Sequence, residues 1–299
     1  MNLSEATIRV KKATALAMTG SERSIGGILI DTGRLSCDNA ERILWQQKKT
    51  PGKRFGDAAI ELGLLTEDDI RFALASQFDY PYLPASDNSL SHELVAAYQP
   101  FSPVVEQLRA LRSQLMLRWF DVEAAPQALA IVSPGAGEGR SFIAANLAIV
   151  FSQLGERTLL IDADLRAPRQ HALFRIGQRT GLSELLAGRA ANSEAVVRIP
   201  SLLGLSVLPA GAVPPNPQEL LGRPAFVEML HTLSRNFDVV LLDTPAASRY
   251  AEAQTIAVRA GAAIMLTRLN RSSLHDLTHL THSLQQSDTT LVGSVLNDV

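Results

Sequence analysis

Cysteine occurs once in these 299 residues, at Cys37, so no disulfide can form within the chain and a reducing, cytoplasmic setting is expected. Long apolar runs are missing too: none approaches the roughly 18 residues that span a bilayer. The opening stretch, MNLSEATIRVKKATALAMTGSE, has no uninterrupted apolar core of the signal-peptide kind. Any membrane role is therefore expected to run through a partner. A large charge excess is also lacking. The 28 basic against 30 acidic residues leave a formal charge of −2, with no overall pull toward nucleic acid. What remains, 46% hydrophobic and 19% charged, describes a globular chain of one or two domains.

The front of the chain is repetitive. SIGGILIDTGRLSCDNAERILWQQ, residues 24–47, returns thirty positions later as RFGDAAIELGLLTEDDIRFALASQ, residues 54–77, with identical pairs that include Gly26/Gly56, Gly33/Gly63, Leu35/Leu65 and Gln47/Gln77. Each copy predicts a short helix, a glycine turn, a capping Ser36 or Thr66, and a second helix, with KKTPGK joining the copies. Such a period predicts paired helical hairpins that bury their apolar faces on each other. The expected division is a helical repeat module over 20–83, a proline-rich linker over 84–103 that contains a short helical stretch SHELVAAY, and a second domain over 104–299.

That second domain opens on a helix, VVEQLRALRSQLMLRWF, residues 104–120, with apolar positions three and four apart. From residue 128 the period changes. ALAIVS, TLLIDAD, LSVLPAG, VVLLDTP, AAIMLTRL and TLVGSVLN are continuous apolar strands. Helical stretches near 141–153, 217–236, 247–260 and 274–286 lie between them. Strands apolar on both sides imply a mainly parallel α/β sheet covered by helices on both faces.

One stretch carries chemistry. In IVSPGAGEGRSFIAANLAIVF, residues 131–151, a strand runs through a glycine loop into a helix. Gly135, Gly137 and Gly139 would let backbone N–H groups close on phosphate oxygens, and Ser141 stands where a hydroxyl can reach Mg²⁺. Pro134 and Arg140 depart from G-x-x-x-x-G-K-[ST]. Asp162, Asp164 and Asp243 end two further strands, where the carboxyl edge of an open α/β sheet faces its ligand crevice. A glycine loop beside such carboxylates is suited to a magnesium-bound triphosphate.

The segments SPGAGEGRS, LLIDADLR and VVLLDTP resemble the Walker A, A′ and B boxes of bacterial tyrosine kinases, in particular the EpsG-type chain-length determinant kinases of exopolysaccharide export. EQLRALR, with Glu106, Arg109 and Arg112, resembles the family's E-x-x-R-x-x-R helix, which packs subunits into a ring. PPNPQELL, residues 214–221, resembles its proline-rich segment. The resemblance covers roughly 100–299 and implies a P-loop NTPase-type fold with ATP and Mg²⁺ as cofactors. It implies a nucleotide-binding set of Gly135, Gly137, Glu138, Gly139, Arg140, Ser141 and Phe142. It also implies a metal set of Ser141, Asp162 and Asp243, and catalytic roles for Asp162, Asp164 and Arg140. The implied activity is transfer of the γ-phosphoryl of MgATP to protein tyrosine, alongside a membrane-bound polysaccharide chain-length protein.

Three features qualify that expectation. Arg140 keeps the positive charge of the usual lysine on a bulkier, planar fork. No tyrosine cluster occurs among Tyr80, Tyr82, Tyr98 and Tyr250, so a separate substrate is expected. The signature lysine of ParA/MinD-type ATPases is replaced by Gly135, which favours a ring over their nucleotide-sandwich dimer. A non-catalytic nucleotide-binding regulatory subunit stays open as the alternative. The second repeat resembles the N-terminal domain of type II secretion and type IV pilus ATPases, some of which grip cyclic di-GMP with an arginine opening each repeat. Here Arg54 matches, whereas Ser24 holds the first position. Weak or absent cyclic di-GMP binding, with protein docking as the module's task, is the expectation. The histidines show no metal-ligand spacing and are expected on the surface.

Overall fold

The computed structural model describes residues 24–50, 52–77, 82–84, 86–121, 128–177 and 179–298. Pro51, Tyr80, Pro81 and the first 23 residues lie outside them. The chain divides into two compact units, Met1–Pro81 and Tyr82–Val299.

In the first unit the repeats form α1 (Ile25–Asp31), α2 (Cys37–Lys49), α3 (Phe55–Glu61) and α4 (Glu67–Gln77). Ser24 Oγ accepts from Gly27 N and Ser36 Oγ from Asn39 N. Thr66 and Asp69 cap reciprocally, each side chain accepting the other's backbone N–H. The repeated glycines have two uses. Gly33 and Gly63 take left-handed turns, φ 70° and 63°. Gly26 and Gly56 allow close approach, since a Cβ there would stand 3.3 Å from the Phe55 ring and 3.1 Å from Ile70. The pairing is crosswise: α1 packs chiefly on α4 and α2 on α3. Leu29, Ile43, Ala58 and Ala73 fill the small core.

The second unit holds a seven-stranded sheet. In chain order it comprises α5 (Val95–Tyr98), α6 (Pro103–Leu115) running into a π-helical turn (Met116–Phe120), β1 (Ala128–Val132), α7 (Arg140–Leu154) and β2 (Thr158–Asp162). After these come α8 (Gln170–Leu173), α9 (Leu182–Leu186), α10 (Asn192–Ala195), β3 (Val197–Arg198), β4 (Leu205–Leu208), α11 (Pro217–Leu221) and α12 (Pro224–Ser234). The chain closes with β5 (Val239–Asp243), α13 (Glu252–Ala260), β6 (Ala262–Arg268), α14 (Leu274–Gln286) and β7 (Thr290–Asn297). Strand order is β3-β4-β2-β5-β1-β6-β7, parallel throughout except for the β3–β4 edge. Alternate strand residues feed two cores: Leu129, Ile131, Leu160 and Leu241 toward one face, Ala130, Val132, Ile161 and Leu242 toward the other. The two-sided burial expected from the apolar strands is present in β1, β2 and β5, whereas TLVGSVLN forms the edge strand β7, whose residues are half-buried or exposed because only one neighbour covers it.

Three sequence expectations are corrected. Residues 84–98 do not form a free linker: Leu90, Leu94, Ala96 and Ala97 are buried in the second unit's core. The buried Asn146 of α7 fastens this stretch, accepting from Ala96 N at 2.9 Å and donating to Glu93 O at 3.0 Å. The helix expected over 217–236 breaks at Gly222–Arg223, because Pro224 lacks an N–H and starts a new helix at its first position. The helix expected from 247 starts only at Glu252. The short edge strand β3 and the helices α8 to α10 carried no clear periodic signal, each being five residues or shorter.

A candidate nucleotide and cation site

Strand order places the site. β5 lies between β1 and β2, so the carboxyl end of β5 sits between the loop leaving β1 and the end of β2. Asp243 and Asp162 are register partners across the β5–β2 pair. The loop itself, residues 133–139, turns at Gly137 (φ 73°) and Gly139 (φ 100°), left-handed values that favour glycine. Later parts of the chain brace it. Asn297 Nδ2 donates to Glu138 O at 3.1 Å, Arg268 to Gly137 O at 2.9 Å, and Gly135 N to the Glu138 carboxylate at 2.6 Å. The Ser272 hydroxyl bonds that same carboxylate. Glu138, expected at the nucleotide, here holds the loop's own shape.

Arg140 is placed differently from a free phosphate-directed side chain. Its Nε donates to Thr244 O at 2.8 Å, and its Nη1 to Gly135 O at 2.6 Å and to the Ser133 hydroxyl. It is 9% exposed. Burial lowers its pKa, opposed by the carboxylates of Asp243, Asp164 and Glu138. The fork thus ties both ends of the loop to the end of β5, and Arg140 also lines a cleft. That cleft, of about 300 Å³, is lined by Gly137, Gly139, Arg140, Ser141, Phe142 and Asp164, with Arg166, Arg169, Arg249 and Tyr250 at its other wall.

The carboxylates divide into two kinds. Asp164 Oδ1 accepts from Arg166 N and Ala167 N at 3.1 and 2.9 Å, so one oxygen shapes the turn after β2. Asp162 and Asp243 are fully buried. Asp162 Oδ2 accepts from Arg169 N and Gln170 N, and Asp243 Oδ2 accepts from Gln170 Nε2 at 2.8 Å. Burial, then the neighbouring Asp243, raises the Asp162 pKa well above the carboxylate range. Burial pushes Asp243 up to about 6, against the pull of Gln170, Ser141 and Arg140.

The other oxygen of each, Asp162 Oδ1 and Asp243 Oδ1, is buried without a hydrogen-bond partner, as is Gln170 Oε1. A buried polar atom left unpaired costs about 1–3 kcal/mol. A group of acceptors with no donor fits a hard cation and its waters. Among the described residues no three His, Cys, Asp or Glu gather as a self-sufficient metal cage. That suits a cation held jointly by Ser141, nucleotide oxygens and water.

Glu106 and Arg109 form an ion pair on α6, whereas Arg112 donates to Val150 O of α7 at 2.9 Å. Inside one chain the trio is therefore not a single exposed set. Sequence reasoning missed Ser133, Gln170, Thr244, Ser272 and Asn297. Ser133 and Thr244 lie inside SPGAGEGRS and VVLLDTP without a role assigned to them there, and no local motif marks Gln170, Ser272 or Asn297, whose partners lie far away along the chain or within the loop.

The CobQ/CobB/MinD/ParA nucleotide binding domain family matches residues 129–299. The putative tyrosine-protein kinase EpsB of Ralstonia solanacearum is 37% identical over 204 residues, which are 68% of this chain and 27% of that protein. The tyrosine-protein kinase YwqD of Bacillus subtilis is 31% identical over 70% of this chain and 86% of its own length. The solved kinase domain of Escherichia coli tyrosine kinase ETK superposes with a TM-score of 0.65 at 30% identity, covering 69% of this chain and 80% of that one. Loop, sheet order and relatives together define a P-loop nucleotide-binding domain. Within that class, the chain belongs to the bacterial tyrosine kinase family. It spans less than a third of the length of the Ralstonia relatives.

Proposed function

We propose that this chain transfers the γ-phosphoryl of MgATP to tyrosine of a separate partner protein, in the setting of polysaccharide export and beside a membrane-bound chain-length protein. The observation that carries this reading is the pairing of buried Asp162 and Asp243 in register beside the loop, each with an unpartnered oxygen. Phosphoryl transfer asks mainly for positioning and charge neutralisation. Residues 137–142 would cradle the phosphates with their N–H groups, and Ser141 would take a cation position. Asp162 and Asp243 would orient water around that cation. Asp164, at the cleft wall, would accept the tyrosine proton through its second oxygen. Mg²⁺, when bound, supplies neutralisation of the charge shared by the β- and γ-phosphates. Arg140 would hold the loop in its binding shape and turn its free edge to the phosphates.

The second reading is a non-catalytic nucleotide-binding regulatory subunit of the same machine. The engagement of Arg140 with Gly135, Ser133 and Thr244 favours it, since that side chain is not free to follow a moving phosphoryl group. A ring through the α6 face, a location at the cytoplasmic side of the inner membrane through the partner, and protein docking by the repeat module complete the proposal. In the module, Ser24 and Arg54 occupy equivalent cap positions of α1 and α3, and Arg54 is exposed with no capping bond. A single arginine there supports weak cyclic di-GMP binding at most.

Incubation with labelled ATP and Mg²⁺, with and without the partner's cytoplasmic segment, tests the readings. Phosphotyrosine formation coupled to ADP release, lost in Asp162→Asn, supports the kinase. Nucleotide binding with neither product supports the regulatory subunit.

A further inference from the structure

We propose that Gln170 is a positioning residue of the cation site: it orients Asp243 and offers its own amide oxygen to the water shell of a divalent cation. This rests on the Mg²⁺-nucleotide reading above and names a residue that reading does not include. Gln170 opens α8 and is fully buried. It touches three parts of the site at once. Its backbone N–H donates to Asp162 Oδ2 at 2.9 Å. Its Nε2 donates to Asp243 Oδ2 at 2.8 Å and to Ser141 O, in the first turn of α7, at 3.1 Å.

Those two acceptors fix which way the amide faces. A flipped amide would press Oε1 against a carboxylate oxygen and a carbonyl oxygen, which repel it. Oε1 is therefore held away from both, and it has no partner. It shares that condition with Asp162 Oδ1 and Asp243 Oδ1 on the two residues Gln170 binds. Asp162 and Asp243 both bond Gln170, and each of the three residues keeps one buried oxygen without a hydrogen-bond partner. An anion would be repelled by these oxygens, and an apolar ligand would leave them unsatisfied. A hard cation, through its waters, answers all three.

The test compares full-length wild type with Gln170→Leu and Gln170→Glu. Affinity for a fluorescent ADP is measured in EDTA and in Mg²⁺, and Mn²⁺ binding to the ADP complex is followed by electron paramagnetic resonance. For Gln170→Leu, affinity in EDTA stays within about twofold of wild type, while the tightening produced by Mg²⁺ falls about tenfold or more, the loss typical of an outer-shell metal partner. For Gln170→Glu, the added charge makes Mn²⁺ bind more tightly than in wild type. Undiminished Mg²⁺-linked tightening in Gln170→Leu overturns the assignment while leaving the nucleotide reading intact. Absence of any Mg²⁺-linked tightening in wild type overturns both. If the leucine variant does not fold, Gln170→Glu decides alone, and Mn²⁺ affinity no higher than wild type counts against the role.

Discussion

Asp243→Asn should make the nucleotide-free protein more stable at neutral pH, and the gain should vanish in acid. The Asp243 carboxyl is fully buried and moved from 3.8 up to about 6. Each pH unit between the unfolded and folded values is worth about 1.36 kcal/mol, so the folded state loses about 3 kcal/mol once both states are ionised. The direction follows from proton counts. Between about 4 and 6 the folded protein holds this proton and the unfolded chain has released it, so stability falls as pH rises through that window. Below it, both states are protonated and no penalty exists. Asp162, raised by burial and by its neighbour, acts in the same direction. Asparagine removes the charge and can still accept from Gln170. Urea or thermal unfolding of wild type and Asp243→Asn at pH 4, 5, 6 and 7.5 isolates the effect of the Asp243–Asp162 pair, because acids away from it cancel in the difference. The curves should meet near pH 4 and separate by about 3 kcal/mol at pH 7.5, about 6–12 °C in Tm for a domain of this size. Parallel curves across that range would show that Asp243 ionises without penalty, and the burial argument would be wrong.

Other consequences are simpler to state. Gly139→Ala places a Cβ 2.6 Å from Asn297 Nδ2 at φ 100°, so nucleotide affinity should fall by an order of magnitude or more in a fluorescence titration. Arg140→Ala removes the bonds to Thr244 O, Gly135 O and Ser133 together, and the loss of one charged bond is typically about 1.5–3 kcal/mol. Calorimetry without nucleotide should therefore already show a lower Tm, whereas a purely phosphate-directed arginine would leave it unchanged. Arg112→Ala should lower monomer stability by about 1–2 kcal/mol through the bond to Val150 O, while Glu106→Ala should change only assembly. Light scattering beside chemical denaturation separates the two, and equal stability of both variants would refute the distinction.

Much of this molecule could be read before its structure. Strands apolar on every residue have one stable placement, inside a sheet covered on both faces, and VVLLD, TLLID and ALAIV all lie there. The matched glycines of the repeat pointed to matched turns because a left-handed turn leaves a local mark. What escaped was information held in distance. Nothing local in RQHALF announces that Gln170 bonds a carboxylate 73 positions later. The run of prolines around 84–103 looked like a spacer because its buried residues, Leu90, Leu94 and Ala97, are few and irregularly spaced. Their burial depends on Asn146, on a helix the stretch does not adjoin in sequence. Arg140 was legible as a charge and illegible as a brace, since its acceptors are carbonyl groups that any residue could supply.

The fastening of Asn146 also sets where the second unit can be cut. Its amide is satisfied by Phe142 O within α7 and by Glu93 O and Ala96 N from the stretch before α6. A fragment begun at residue 104, at the start suggested by periodicity alone, would remove two of those three partners. It would also empty the space filled by Leu94 on the flank of the helix that carries Ser141. Trimming to the recognisable motif would thus loosen the motif's own support, and the smallest faithful fragment for assay or crystallisation begins near Tyr82.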